Sequence, residues 1–193
     1  MDVAEPPSWP PPLNDELSQR WFLEKLRSNP GIAGWTMWYL VLCSGGRREL
    51  VGNGGFKGAP EQGLVELGYS ILPQHQRKGY ATKATLALIA WAFSHREVDR
   101  VCAETLPDLE PSLGVMRKCG MRYVGPGRGD EGMQTVHYEI GRLDWKMRSR
   151  EVEDAAARLA VAEQARLARG HTTLHSRTGL SLSVALTCSP SPP

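Results

Sequence analysis

From Trp35 to Ile140 the apolar residues come in short runs separated by glycine, proline and serine, and the period of each run predicts its element. Trp35–Leu42 is rich in aromatic and β-branched residues, and it, Glu49–Lys57 and Leu64–Leu72 are set apart by turn residues, which predicts three strands. Gly52, Gly54 and Gly55 inside the second run predict a bulge and a turn rather than a nucleotide loop, because no helix follows them. Leu86, Leu88, Ile89, Ala90, Trp91 and Phe93 are apolar nearly all round, which predicts a covered helix over 79–95. Asp99–Thr105 reads as the next strand, so strand, helix and strand form a parallel, right-handed unit. Pro111 opens a short helix that runs to Lys118 and stops at Gly120. Met121–Val124 and Thr135–Ile140 make a last hairpin across a glycine-rich loop at 126–132. Ahead of all this, Leu17 with Trp21 and Phe22 with Leu26 keep helical spacing, with Asn14 as the cap and Asn29-Pro30-Gly31 as the stop. The expected fold is α+β, with a mixed, mostly antiparallel sheet flanked by helices.

The ends differ from the middle. Residues 1–13 are a proline-rich arm with little to pack, ahead of a domain at 14–142. Residues 143–169 are rich in alanine and arginine, with Val152, Ala155, Leu159 and Ala162 near helical spacing. A solvated surface helix is the expectation, and the contact of a homodimer the alternative. Residues 170–193 are dominated by serine, threonine and proline, which predicts a disordered tail. At 193 residues, 41% hydrophobic and 23% charged, the chain is long enough for one sizeable core. A net charge of +2 argues against a nucleic-acid partner, and the lack of a run of about 18 apolar residues argues against a membrane span. The start has neither the basic residues nor the apolar stretch of a secretory signal, and the scattered cysteines Cys43, Cys102, Cys119 and Cys188 read as free thiols, so the expected compartment is the cytoplasm.

The stretch with chemistry is Gln76-Arg77-Lys78-Gly79-Tyr80-Ala81-Thr82, between a strand closed by Pro73 and the covered helix. A helix start exposes unpaired N–H groups and the positive end of its dipole. Arg77 and Lys78 add charge, Gly79 lets the backbone approach an anion, and Ala81 keeps the first turn slim, so the place suits a phosphate or pyrophosphate. Gln76, Gly79 and Ala81 match Q/R-x-x-G-x-G/A, which resembles the acetyl-CoA pyrophosphate loop of the GNAT N-acetyltransferases. Val65-Glu66-Leu67-Gly68-Tyr69, Ala103-Glu104-Thr105-Leu106-Pro107, Ser112 and Lys118-Cys119-Gly120-Met121 resemble the ribosomal-protein N-acetyltransferase branch of that superfamily. The resemblance covers about Trp35 to Ile140.

It implies a GNAT-like fold and acetyl transfer from acetyl-CoA to a primary amine, on a protein N-terminus or a small molecule, by direct attack in a ternary complex. It places Gln76, Arg77, Lys78, Gly79, Tyr80, Ala81, Thr82 and Ser112 at the CoA, with the backbone of Ile71 and Leu72 along the pantetheine arm. An amine with a pKa of about 8 to 10 benefits from a base at neutral pH. Glu104 and Glu66 both occupy strand positions where relatives place one. Three departures stand out: Leu109 replaces the family's asparagine, Met116 replaces a tyrosine that serves some relatives as general acid, and only the arm precedes the first helix, so the strand usual there is either missing or replaced by the arm. A non-catalytic acyl-CoA-binding module is the alternative those changes suggest. No metal is expected, since His171 and His175 lack a third ligand.

Overall fold

The backbone of the sheet is packed so closely at two points that only glycine fits. A computed structural model of the chain describes residues 3, 6–12, 16–44, 47–129, 133–151 and 153–154. Helix α1 (Glu16–Ser28) leads through a 3₁₀ turn (Pro30–Trp35) into β1 (Met37–Ser44) and β2 (Arg47–Phe56). A Cβ at Gly52 would lie 2.2 Å from the Ser70 carbonyl oxygen, and one at Gly55 2.1 Å from that of Thr36. The register slips between Leu40 and Val41 of β1, leaving Val51 as the bulged residue of β2, as the glycine pattern predicts.

Then come β3 (Leu64–Ile71), a 3₁₀ turn (Pro73–His75), α2 (Tyr80–Ser94), β4 (Arg100–Thr105), α3 (Glu110–Lys118), β5 (Arg122–Pro126) and β6 (Val136–Gly141). The six-stranded sheet runs in the order β1-β2-β3-β4-β6-β5, and β3 with β4 is its single parallel pair. The expected α+β class and mixed, mostly antiparallel sheet are both present. Gly120, at φ +82, ends α3: its N–H bonds Arg117 O and that of Met121 bonds Met116 O, a Schellman stop.

One face of the sheet carries the core. Trp38, Phe56, Leu67, Val101, Ala103 and Ile140 pack with Leu88 and Ile89 of α2. The other face is polar. Cross-strand register puts Glu66 beside Cys102 and Cys102 beside Glu139, Glu104 beside His137, and makes rows of Met37–Gly55–Gly68 and Tyr39–Asn53–Ser70. Side chains alternate faces along a strand, so these rows share the face away from α2.

Two expectations need correction. Trp35 does not begin β1; the 3₁₀ turn directs it inward, against the rings of Phe56, Trp91 and His95 at 4.6–5.3 Å. The arm does pack. Trp9 sits 5.7 Å from Tyr39 between ring centroids, Pro11 is fully buried, Gln74 Nε2 donates to Ser8 Oγ at 2.8 Å, and Ser70 Oγ donates to Pro12 O. It therefore lies over the Tyr39–Asn53–Ser70 row, and Asn53 has no exposed surface. Proline segments enter the unfolded chain with φ already fixed, so docking one costs less entropy.

After β6, residues 142–151 and 153–154 are helical. Arg142 holds the carboxyl end of α2, donating to Phe93 O at 2.6 Å, His95 O at 2.5 Å and Val98 O. Such a guanidinium satisfies carbonyls that a helix end leaves open. Asn14, the rest of the 143–169 segment and the 170–193 tail lie outside the described residues.

Candidate active site

The basic loop bends where its sequence requires. Arg77 has φ +59 and Gly79 φ +81, so the chain turns left-handed twice before α2 begins. Gly79 is the N-cap, with no side chain capping the helix. The first intrahelical bond is Lys83 N–H to Gly79 O at 3.1 Å, so the N–H groups of Tyr80, Ala81 and Thr82 have no helical partner. A Cβ at Gly79 would meet nothing within 4 Å, so the space beside the helix start is open at that residue. Loop geometry is kept by Gln76 Nε2 bonding Ile71 O at 3.0 Å and Lys78 Nζ bonding Gln74 O at 2.8 Å. His75 is not exposed: it is buried beneath the loop, Nε2 3.1 Å from Glu49 Oε1, without alignment for a hydrogen bond.

Next to the loop the sheet opens. β3 and β4 pair only at Leu64–Arg100, Val65–Val101 and Glu66–Cys102. Past Glu66, β3 stays with β2 and β4 with β6. A cavity of about 260 Å³ sits in this divergence, lined among others by Gly68, Tyr69, Glu104 and Ser112. Leu72 N–H bonds Val51 O at 3.0 Å and so points toward β2. By alternation the N–H groups of Tyr69 and Ile71 point the other way, toward the opening, while Ile71 O is taken by Gln76. Ile71 can thus face a ligand there, while the Leu72 N–H is already used.

Tyr69 Oη lies 3.2 Å from both O and Oγ of Ser112. Burial pushes its phenol up to about 12, so it stays neutral. Ser112 therefore anchors Tyr69 as well as lining the cavity. Leu109 and Met116 line it too, making that wall apolar.

The two glutamates differ. Glu66 forms an ion pair with Lys57 at the edge of the polar face. Glu104 sits in a network: His137 Nδ1–H donates to it at 3.0 Å, Thr135 Oγ1 at 2.8 Å and the Arg128 N–H at 3.1 Å. Burial alone would raise its pKa, but these bonds outweigh burial and hold it below the ordinary 4.5. His137 Nε2 also meets Glu139 Oε1 at 2.9 Å. Both ring nitrogens donate only in the protonated ring. Burial pulls the imidazole pKa down, yet the two carboxylates more than offset this and raise it above 6.5. Arg100 completes the row, bonding Glu139 at 3.0 Å. Gly127 closes over Glu104 so tightly that a Cβ would come 2.5 Å from its Oε2.

Sequence reasoning found no partner for His137. The signal was present in outline: an antiparallel β6 beside β4 sets His137 and Glu104 in register, with Glu139 two residues on. Cys102, on the same face, is buried, and burial followed by Glu66, Glu139 and Glu104 pushes its thiol to about 12, so it is not a nucleophile.

Over residues 1–122 the chain matches the family model described as Acetyltransferase (GNAT) domain. It is 37% identical over 101 residues to the uncharacterized N-acetyltransferase YjdG of Bacillus subtilis (strain 168), covering 52% of this chain and 59% of that protein. It is 33% identical over 85 residues to YnaD of the same organism, covering 42% and 50%. The chain thus spans between half and three-fifths of the length of these curated relatives. Among solved structures, the ribosomal-protein-S5-alanine acetyltransferase from Vibrio fischeri superposes with a TM-score of 0.53 at 19% identity, covering 67% of this chain and 72% of its own. A variant of the spermidine N-acetyltransferase SpeG from Vibrio cholerae does so with 0.53 at 16%, covering 70% and 79%. At these identities the likeness is one of fold.

Proposed function

The chain belongs to the GNAT family of acetyltransferases, and from that premise we propose that it moves the acetyl group of acetyl-CoA to a primary amine by direct attack. The observation that carries this is the divergence of β3 and β4 past Glu66 beside the uncapped start of α2. The residues present fit the co-substrate: the open space before Gly79 and the N–H groups of Tyr80, Ala81 and Thr82 suit the pyrophosphate, with Arg77 at the rim and Gln76 and Lys78 holding the loop. The Ile71 and Tyr69 backbones line the way in. Acetyl-CoA bound there would supply the thioester that an amine attacks.

The chain's own groups do the rest. Backbone N–H groups of β3 facing the opening can polarise a carbonyl. Glu104 is ionised at neutral pH, lines the cavity and is our choice for receiving the amine proton, directly or through a water. Glu66, paired with Lys57 and two residues before Gly68, is the alternative acceptor of that proton. The buried, neutral Cys102 thiol argues against an acyl-enzyme. The leaving thiol, with a pKa near 8.5, departs without a strong acid, so an apolar Met116 is tolerable.

The text of 65–69, 103–107 and 118–121 supports a place near the ribosomal-protein branch and hence a protein N-terminus as acceptor, although the fold also serves spermidine acetylation in the Vibrio enzyme, and fold does not choose substrate. The free thiols of Cys43, Cys102 and Cys119 suit a reducing compartment, and no helix among the described residues is long and apolar enough to cross a membrane. The test is calorimetric titration with acetyl-CoA together with free-thiol release over a panel of peptides and polyamines. Binding and amine-dependent release are expected. Binding with no release from any amine would overturn the reading in favour of an acyl-CoA-binding module.

A further inference from the structure

Gly68, in the middle of β3, has neither of the usual reasons to be glycine. Gly52, Gly55 and Gly127 are held by contacts of 2.1–2.2 Å that a Cβ would make, and Gly79 and Gly120 by left-handed backbone. The φ of Gly68 lies outside the left-handed range, and a Cβ there would meet no heavy atom within 4 Å. A mid-strand glycine of this kind is less stable than alanine, because glycine loses more backbone freedom on folding. The space in front of it belongs to the cavity, which Gly68 lines together with Glu104, Met37 and Phe22 of α1.

The surroundings say which ligand the space serves. Gly68 ends the Met37–Gly55–Gly68 row, in which two of three positions lack a side chain, so the polar face dips there. The arm roofs the adjoining row at Ser70 and Tyr39. Gly68 stands two residues past Glu66, the last β3 residue paired to β4, so the dip opens at the mouth of the divergence. The core face is filled by α2, while the loop that suits a pyrophosphate starts that same helix. An amine therefore reaches the opening along the polar face, where Glu104 waits.

We propose that the dip over Gly68 seats the amine-bearing end of the acceptor, and that the missing side chain makes room for a substituent on the carbon next to the amine, as at the N-terminus of a peptide. An unbranched amine has no use for that room. This rests on the amine-transfer reading above.

The test uses the full chain, Gly68→Ala and Gly68→Val, with three acceptors: a tetrapeptide beginning with alanine, the same peptide beginning with glycine, and an unbranched diamine. Thiol release gives kcat and KM; calorimetry gives acetyl-CoA affinity; a thermal melt gives stability. In Gly68→Ala, KM for the alanine peptide should rise about 10-fold or more, the effect of one misplaced methyl group. The glycine peptide should stay within about twofold, acetyl-CoA affinity should hold, and the melting temperature should hold or rise. Gly68→Val should extend the loss to the glycine peptide. The proposal is overturned by equal losses for both peptides, by unchanged kinetics, by a parallel fall in acetyl-CoA affinity, or by a wild-type chain that prefers the diamine. A wild-type chain that binds acetyl-CoA but releases thiol with none of the three acceptors removes the amine-transfer reading, and the seat with it.

Discussion

Replacing His137 by glutamine should destabilise the protein within a defined pH window. Wild-type His137 bridges Glu104 and Glu139 at 3.0 and 2.9 Å, and all three side chains are at most 18% exposed. His137 has a raised pKa, so the stability it adds is fully present below 6.5 and is lost as pH rises through its folded value. Glu104 has a lowered pKa, so its contribution is present above 4.5 and is lost as pH falls through its folded value. Both are in force between 4.5 and 6.5. His137→Gln removes two bonds to carboxylates, each worth about 1.5–3 kcal/mol, and retains at most one ordinary bond of about 1 kcal/mol. Neither carboxylate is orphaned, since Glu104 keeps Thr135 and the Arg128 N–H and Glu139 keeps Arg100. The net loss should be near the lower end, about 2 kcal/mol, or a melting temperature lower by about 4–8 °C. Melts of both proteins from pH 4 to 9 would read it. The difference should be widest near pH 5 to 6 and narrow toward pH 9. A difference that does not vary with pH, or widens above pH 8, would refute the protonated bridge.

Glu104→Gln should lower turnover by roughly 10²-fold, the low end for a lost base because the carboxylate is held weakly basic, with the loss shrinking as pH rises; a pH-dependent loss in Glu66→Gln instead would move the role to that residue. Gly79→Asp should abolish acetyl-CoA binding through added bulk and negative charge in the open space before α2, and unchanged affinity by calorimetry in a folded variant would remove the loop assignment. Ending the chain after Arg169 should leave the melting temperature and acetyl-CoA affinity intact, and a large drop in either would show that the removed residues pack.

Much of the frame was legible because local patterns decide it. The all-round apolar run of α2, the Pro111 start and Gly120 stop of α3, and the Gly79 turn each depend on a few neighbouring residues. What was not legible depends on register and docking. Whether Glu104 meets His137 is settled by which strands pair, and β6 could be placed beside β4 only once the sheet order was known. The arm was read as unpacked from its prolines alone, but its fate depends on Tyr39 and Ser70, from two other strands, presenting a seat. Trp35 was read as strand from its aromatic ring, although the proline-glycine start of its segment favours the 3₁₀ turn that sends it inward. At the candidate site, the turn at Gly79 and the start of α2 could be read because they depend on neighbouring residues alone. The surroundings of Glu66 and Glu104 could not, because two glutamates on neighbouring strands look alike until their partners are seen.

The place of β6 bears on how the protein is made. Among the described residues it is the last strand in chain order, yet it lies between β4 and β5 in the sheet. Synthesis proceeds at about 5–20 residues per second, and a domain generally folds as a unit once its parts have emerged. Until Val136–Gly141 emerges, β4 has an unpaired edge, β5 has nothing to join, and Glu104 lacks His137. The sheet and the hydrogen-bond network of Glu104 therefore close only once β6 is available. Arg142, the residue directly after the strand, then fastens the far end of α2. The strand that comes latest among those described is thus the one that joins β4 to β5 and brings His137 to Glu104.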